Sequence, residues 1–346
     1  LGMDIDARDW KWDVAYRAAR PVGVTLLLLV GLLTALFAVG RAPASPKPVM
    51  RRLLPFLTVI FLALVAGSAF LHWRQHYNRV VGRTGLINEE VEKMIKAEME
   101  QQASIMSMVA KSIALDSRVL EALSAKDAER LQADWRNLFA TLHQEQSLTH
   151  FLFYDENQVC VLRLHKPELR GDKIERFLPL QAERTGKPAW GIEMGKVGTA
   201  TLRIVQPVFE GTKLLGYIEL GKAIEVVMGQ LQVPSGLKIA ISIKKELIQR
   251  APWEAEMNLR GRESNWEHLP HSVIVYASSE FLPEAAVQLA DYDALADNQP
   301  SMGRSISAAD GKHWSLTVLP FADASGKDLG AILMMNDISG LEHTFY

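Results

Sequence analysis

Four charged residues stand where strands would hold them half inside a sheet: Arg163 and His165 in VLRLH, Arg203 in TLRIVQP and Glu219 in GYIELG. Side chains alternate along a strand with a period of two, so Arg163 and His165 share a face. A guanidinium in a half-buried strand needs a partner, because burying an unpaired charge is strongly unfavourable. A ligand carboxylate gripped bidentately would make these arginines a binding site. An internal pair, such as Arg203 with Glu219 or Arg163 with Asp172, would make them structural. The sequence leaves both open.

Other residues extend the candidate set. Gly191, Gly195 and Gly198 in GIEMGKVG read as a flexible loop able to lie over a pocket, with Glu193 its polar contributor. Tyr154 and Trp190 can supply an aromatic wall or simply pack in the core. The expected ligand contacts are therefore Tyr154, Arg163, His165, Trp190, Glu193 and Arg203, with no catalytic residue, metal ligand or cofactor. No HExxH, GxSxG, P-loop or GxGxxG motif opening a helix occurs. The lone Cys160 excludes an internal disulfide, and the absence of CxxCH excludes a c-type haem. His143, His150 and His165 are the nearest candidates for a metal, but their spacing matches no common site. The acidic run DYDALADN at 291–298 lacks the glycine and final glutamate of an EF-hand loop and reads as a solvated loop.

The elements that must position these residues are short strands beyond about Thr149. FLFY (151–154), a DEN turn and QVCVLRL (158–164) form one hairpin; TATLRIVQPVF and KLLGYIELG form another, closed by Glu210-Gly211, with a helical connector IERFLPLQAERTGKP between the two. The chain then repeats itself. PVFEGTKLLGYIELGKAI (207–224) and PFADASGKDLGAILMMNDI (320–338) each run from a proline through a polar turn to a strand at Gly216 or Gly330. On this alignment SVIVYASS takes the place of FLFYDENQ, so that Tyr276 matches Tyr154. Upstream, Ile87, Val91, Met94, Ile95, Ile105, Val109 and Ile113 make an amphipathic helical stripe. A second helix, AKDAERLQADWRNLFATLHQE, starts near Ser124 and carries Leu131, Trp135, Leu138 and Leu142 on one face. Both stripes read first as core, with a dimer seam along the first helix as the alternative.

Residues 21–40 and 53–73 are uncharged and about 20 residues long, the length needed to cross a bilayer. Between them, 41–52 holds three prolines, four cations and no acid, which places it in the cytoplasm and sends the flanking segments outward. Residues 1–83 carry 11 Lys/Arg against 4 Asp, leaving 27 Lys/Arg against 36 Asp/Glu for 84–346. The basic portion meets the membrane, and the acidic remainder advertises no nucleic-acid surface. The opening LGMDIDARDW reads as the middle of a longer polypeptide.

The segments LRLHKPELRGD, ERTGKPAWGIEMGKVG and LRIVQPVFEGTKLLGYIELG resemble the double Cache extracytoplasmic sensor domain, of the type often written double Cache domain 3, with the likeness spanning about 74–340. LGMDIDARDW is similar to the last strand of another periplasmic sensor domain, which would make 1–20 the tail of an upstream module. The resemblance implies an α+β fold: two transmembrane helices, helices over 74–148, and tandem PAS-like antiparallel-sheet modules, membrane-distal at 149–232 and membrane-proximal at 233–340. It further implies an inner-membrane homodimer, with the long helices at its centre and the modules in the periplasm. A small-molecule ligand captured in the first module would drive a histidine kinase, diguanylate cyclase or chemoreceptor. The alternative is a membrane-anchored assembly module that binds a partner protein and no small molecule.

Overall fold

Val91, Ile95, Met106, Ala110 and Ile113 recur at intervals of four, eleven, four and three residues, which keeps them on one side of a helix, and each is at most 3% exposed. They line one side of helix α1 (Lys47–Ala114), the wall on which the sheets pack. The computed structural model describes Gly31 and residues 47–195, 198–259, 264–280, 282–288, 291, 301–307 and 311–339. The chain divides into two units, Leu1–Gly82 and Arg83–Tyr346, and both sheets belong to the second. Among the described residues no helix is long and apolar enough to cross a membrane. Segment 1–20 lies outside them, as does 21–40 apart from Gly31, and within 53–73 the described side chains are those of 57–71.

Two aspartates set the next helices. Asp116 accepts the Arg118 amide (2.9 Å) at the start of α2 (Ser117–Ala125), and Asp127 accepts the Arg130 amide (3.0 Å) at the start of α3 (Ala128–Gln146). The expected helix starting near Ser124 is α3, which begins at Ala128 because Lys126 takes a left-handed conformation (φ 52°) that ends the separate helix α2.

The first sheet comprises β1 (His150–Asp155), β2 (Cys160–Arg163), β3 (Ala189–Met194), β4 (Ala200–Glu210) and β5 (Lys213–Ala223), in spatial order β2-β1-β5-β4-β3. Helix α4 (Phe177–Thr185) lies in the β2–β3 connection. The stretch read as a loop is in its first half the edge strand β3, since β4 supplies its backbone partners from Ala189↔Val205 to Met194↔Ala200. After α5 (Ile224–Gly229) the second sheet follows: β6 (Leu237–Lys244), helix α6 (Arg250–Leu259), β7 (Ser272–Ala277), β8 (Ser301–Ser307), β9 (His313–Ala322) and β10 (Asp328–Asp337). Its order, β7-β6-β10-β9-β8, repeats that of the first.

That order corrects the internal alignment. The counterpart of β1 is β6, because β1 pairs with β5 as β6 pairs with β10, so Tyr154 corresponds to Ser242 and not to Tyr276 on β7. The glycine match stands. Gly216 (φ 155°) would bring a Cβ to 2.1 Å from the Tyr154 carbonyl oxygen, and Gly330 (φ 153°) would bring one to 2.2 Å from that of Ser242. The acidic run also departs from expectation. Asp291 is buried and accepts from the Ser272 hydroxyl and the His271 amide (3.2 Å), whereas 292–300 lie outside the described residues.

Both sheets turn one face to α1, and each is pinned there by polar contacts. Lys222 donates to Gln102 (2.5 Å) from the first sheet. In the second, Asn336 donates to Asn88 (2.9 Å), which donates to Thr317 (2.7 Å).

Because no side chain fits at either repeat glycine, Gly216→Ala and Gly330→Ala should each destabilise the protein by about 3 kcal/mol. Thermal melts would show this as a fall of several degrees. Gly85→Ala, on α1 with nothing within 4 Å, should leave the melting temperature unchanged or raise it.

Candidate functional site

Strand register sorts the first sheet into an apolar and a polar face. Phe151, Phe153, Leu202, Ile204, Ile218 and Leu220 look toward α1 and join its core. On the other face, β5 presents Tyr217, Glu219 and Gly221; opposite them stand Tyr154, Leu152 and His150 on β1, and Pro207, Val205 and Arg203 on β4. The outer strands add Arg163, opposite Leu152, and Glu193, opposite Thr201. Leu178 and Ala182 of α4, with Ile174, cover this face.

Beneath that cover lies an ionic cluster with a buried centre and Arg176 at its partly exposed edge. Glu219 is 0% exposed and Arg203 3%. One Glu219 oxygen accepts from Arg203 and the other from Arg176. Arg176 also donates to the Tyr154 hydroxyl (3.0 Å) and lies 3.5 Å from Glu193, whose other oxygen accepts the Leu178 amide (2.7 Å) at the start of α4. Burial pushes the Glu219 carboxyl well above its usual range. Burial, and then the charge of Arg176, pushes Arg203 down. Since a guanidinium keeps its proton in proteins, the arrangement is one carboxylate shared by two cations. Glycines make the room: Gly191 and Gly221 flank Arg203 in register, and a Cβ on Gly221 would stand 3.5 Å from the Arg203 Cγ.

Of the residues expected to meet a ligand, Tyr154, Glu193 and Arg203 come together in this cluster. Arg163 lies on the same face near its edge, gripping Asp172 through two bonds (2.7 and 2.9 Å) and the Leu169 carbonyl. Both internal pairs weighed from the sequence therefore form. His165 stacks edge-on against His150 (4.7 Å between centroids), and its Nδ1 accepts the Phe151 amide (3.4 Å). Burial, then the charge of Arg203, drops His165 to about 4. Trp190 is not part of the cluster: its register with Ile204 puts it on the opposite face at the sheet edge, 46% exposed. His143 bonds instead with the Leu148 carbonyl (2.8 Å), and no group of three metal-ligating side chains occurs among the described residues.

The sequence reading missed Arg176, the residue that links Tyr154, Glu219 and Glu193. Its only signal was a cation between Glu175 and the apolar Phe177 in IERFLP at a helix start. The glycine segment proves to be partly a joint between the sheets. The Ala324 amide donates to the Ile192 carbonyl (2.8 Å), and a Cβ on Gly191 would lie 2.7 Å from that of Ala324.

Glu219→Leu should cost about 3–5 kcal/mol, because it strands two arginines under the cover. The double variant Glu219→Leu/Arg203→Met should recover part of that loss in chemical denaturation. His165 gives a second expectation. Between about 4 and 6.5 the unfolded chain binds a proton that the folded chain refuses, so stability rises with pH there, complete above 6.5 and lost toward 4. The slope from this group is at most about 1.4 kcal/mol per pH unit. His165→Asn should flatten the profile in that window.

A family model described as the double sensory domain of two-component sensor kinases matches residues 88–341. No curated protein matches the chain. Similar solved structures include a domain of a putative sensory box/GGDEF family protein from Vibrio parahaemolyticus (12% identity, 77% of this chain and 99% of that one, TM-score 0.43). Another is the ligand-binding domain of the Campylobacter jejuni chemoreceptor Tlp3 in complex with 4-methylisoleucine (11% identity, 78% and 96%, TM-score 0.44). A third is the sensor domain of the V. cholerae histidine kinase DctB (12% identity, 73% and 97%, TM-score 0.37). By the family match over 88–341, which takes in both sheets, the chain belongs to the double Cache family of sensory domains.

Proposed function

We propose that the chain is the extracytoplasmic ligand-sensing input region of a membrane signal transducer, with its ligand bound on the polar face of the first sheet. The observation that carries this reading is a set of orphaned polar atoms. Arg203 Nε, Thr201 Oγ1 and Tyr217 Oη are all buried on that face without a hydrogen-bond partner, and Glu193 Oε2 has Arg176 only at 3.5 Å. Leaving such groups unpaired is unfavourable by about 1–3 kcal/mol each, and a polar ligand would pair them. Its carboxylate would compete with Glu219 for the two arginines, entering as α4 lifts and releases Glu193. Among the described residues of the corresponding face of the second sheet, Leu316 and Leu333 stand where the first has Arg203 and Glu219, and Trp314 Nε1 is the unpaired polar atom.

The same reading anchors the protein in the bacterial inner membrane with both modules in the periplasm. Val59, Ile60, Phe61, Leu62, Phe70 and Leu71 are exposed on α1, an apolar surface suited to lipid. Two copies would associate along α1, where Leu86 and Met108 are exposed. The signal would reach a kinase, cyclase or chemoreceptor output, and this region would perform no catalysis.

A thermal-shift screen of the full chain against amino acids, organic acids and amines is the direct test. Ligand at a hundredfold excess over its dissociation constant adds about 2.7 kcal/mol, a shift of several degrees. Arg176→Gln should abolish the shift while the protein stays folded. A flat response across the library, or a shift retained in both Arg176→Gln and Arg203→Met, would reject the site.

A further inference from the structure

Besides the linker that follows α5, the turn between β9 and β10 joins the second sheet to the first. Asp323 closes that turn on itself. Its amide donates to the Lys327 carbonyl (2.9 Å), its carbonyl accepts the Gly326 amide (2.9 Å), and its carboxylate accepts the amides of Ser325 (2.8 Å) and Lys327 (2.9 Å). Gly326 is left-handed (φ 86°) while Ala324 and Ser325 are not, the geometry of a type I hairpin turn with a glycine at its bulge. The tip is therefore built without help from the first sheet, and it presents Ala324 to that sheet.

Three consecutive residues of β3 receive both this tip and the cover. Gly191 leaves the space in which they meet: a Cβ there would stand 2.7 Å from the Ala324 Cβ and 3.9 Å from Leu178 Cδ2. The Ile192 carbonyl accepts the Ala324 amide (2.8 Å), and Glu193 accepts the Leu178 amide (2.7 Å) at the start of α4. Ala324 thus packs at the margin of the apolar cluster that holds Leu178 and Ala182. The sheets are also fastened where Gly198, after β3, lies against Ile248 and Trp253; a Cβ on it would fall 2.6 Å from Ile248 Cγ2. Lys166 stands 3.5 Å from Glu256 on α6. These contacts hold the tip in place against β3.

We infer that the β9–β10 tip is a latch on the α4 cover: the seated tip stabilises the closed cover, and α4 lifts off the polar face as Ala324 withdraws from Gly191 and Ile192. Strand β10 carries the other end of the device. It runs about 27 Å from Asp328, beside the tip, to Asn336, which donates to Asn88 on α1. The second sheet thereby responds to the state of the first sheet's cover. On the ligand-sensing reading proposed above, entry beneath α4 would release the tip; the latch itself does not depend on that reading.

Hydrogen exchange of the full chain in lipid nanodiscs, without ligand, tests the latch. Ala324→Pro removes the donor to Ile192 yet suits the second position of a type I turn. Amides of α4 should then exchange about tenfold faster, whereas those of α2, α3 and β6 stay within about twofold. Ala324→Gly, which keeps the N–H, should accelerate α4 in the same direction but less. In reverse, Arg176→Gln frees the cover and should speed exchange of the Ala324 amide, because coupling is reciprocal. Circular dichroism melts confirm that the variants fold. Unchanged α4 exchange in Ala324→Pro, acceleration spread equally over both sheets, or an Ala324 amide indifferent to Arg176→Gln would overturn the latch. A flat ligand screen alongside localised, reciprocal exchange would reject the ligand site and leave the latch standing.

Discussion

A carboxylate with no access to water organises the first sheet and its cover. Glu219 is fully buried, and only direct contact with Arg203 and Arg176 compensates for the hydration it has lost. Arg203 comes from the neighbouring strand, but Arg176 comes from the connection just ahead of α4. The ion group therefore requires that connection to fold back over the sheet. Glu193 strengthens the requirement by taking the Leu178 amide at the helix start. The cover is thus tied to the floor by charge as well as by the apolar contacts of Leu178 and Ala182. Such ties are strong while dry and weaken once water or a competing carboxylate enters.

The two sheets show how one backbone plan holds two chemistries. Their strand orders match, and each has a glycine at φ near 155° where its hairpin strand passes a neighbouring carbonyl. That constraint is steric and identical in both copies. The side chains on the outer face are free of it and have diverged, with Ser242, Leu316 and Leu333 standing where Tyr154, Arg203 and Glu219 stand in the first. The second face packs as an apolar core with Leu269, Ala286 and Val287.

The sequence made some of this legible. Charges inside apolar strands announced the ion pairs, since a lone buried charge is prohibitive, and the glycine repeat announced the doubled hairpin. Other features left no local signal. Edge strand β3 carries Gly191 and Glu193 and owes its strand conformation to pairing with β4, which no window around it reports. Tyr276 looked equivalent to Tyr154 because both end apolar runs, yet strand order, a long-range property, assigns it to edge strand β7, next to the counterpart of β1. Arg176 acts at a distance of 43 residues from Glu219, so spacing could not pair them.

The same geometry shows how a change on the polar face can reach the helix wall. Residues alternate along β5, so Glu219 faces the cover, whereas Lys222, three residues on, faces α1 and bonds to Gln102. On the proposed reading, a movement of β5 as Glu219 leaves its arginines would disturb that contact, because a close-packed strand shifts as a unit. Gln102 also bonds with Gln230 (2.7 Å) beyond α5, at the entrance to the linker. Fourteen residues earlier on the same helix, about 21 Å along its axis, Asn88 holds the second sheet through Asn336 and Thr317. Fourteen residues is close to four helical turns, so both polar pins lie on one side of α1. On the proposed reading, a displacement at Gln102 would be carried along α1 to the second sheet.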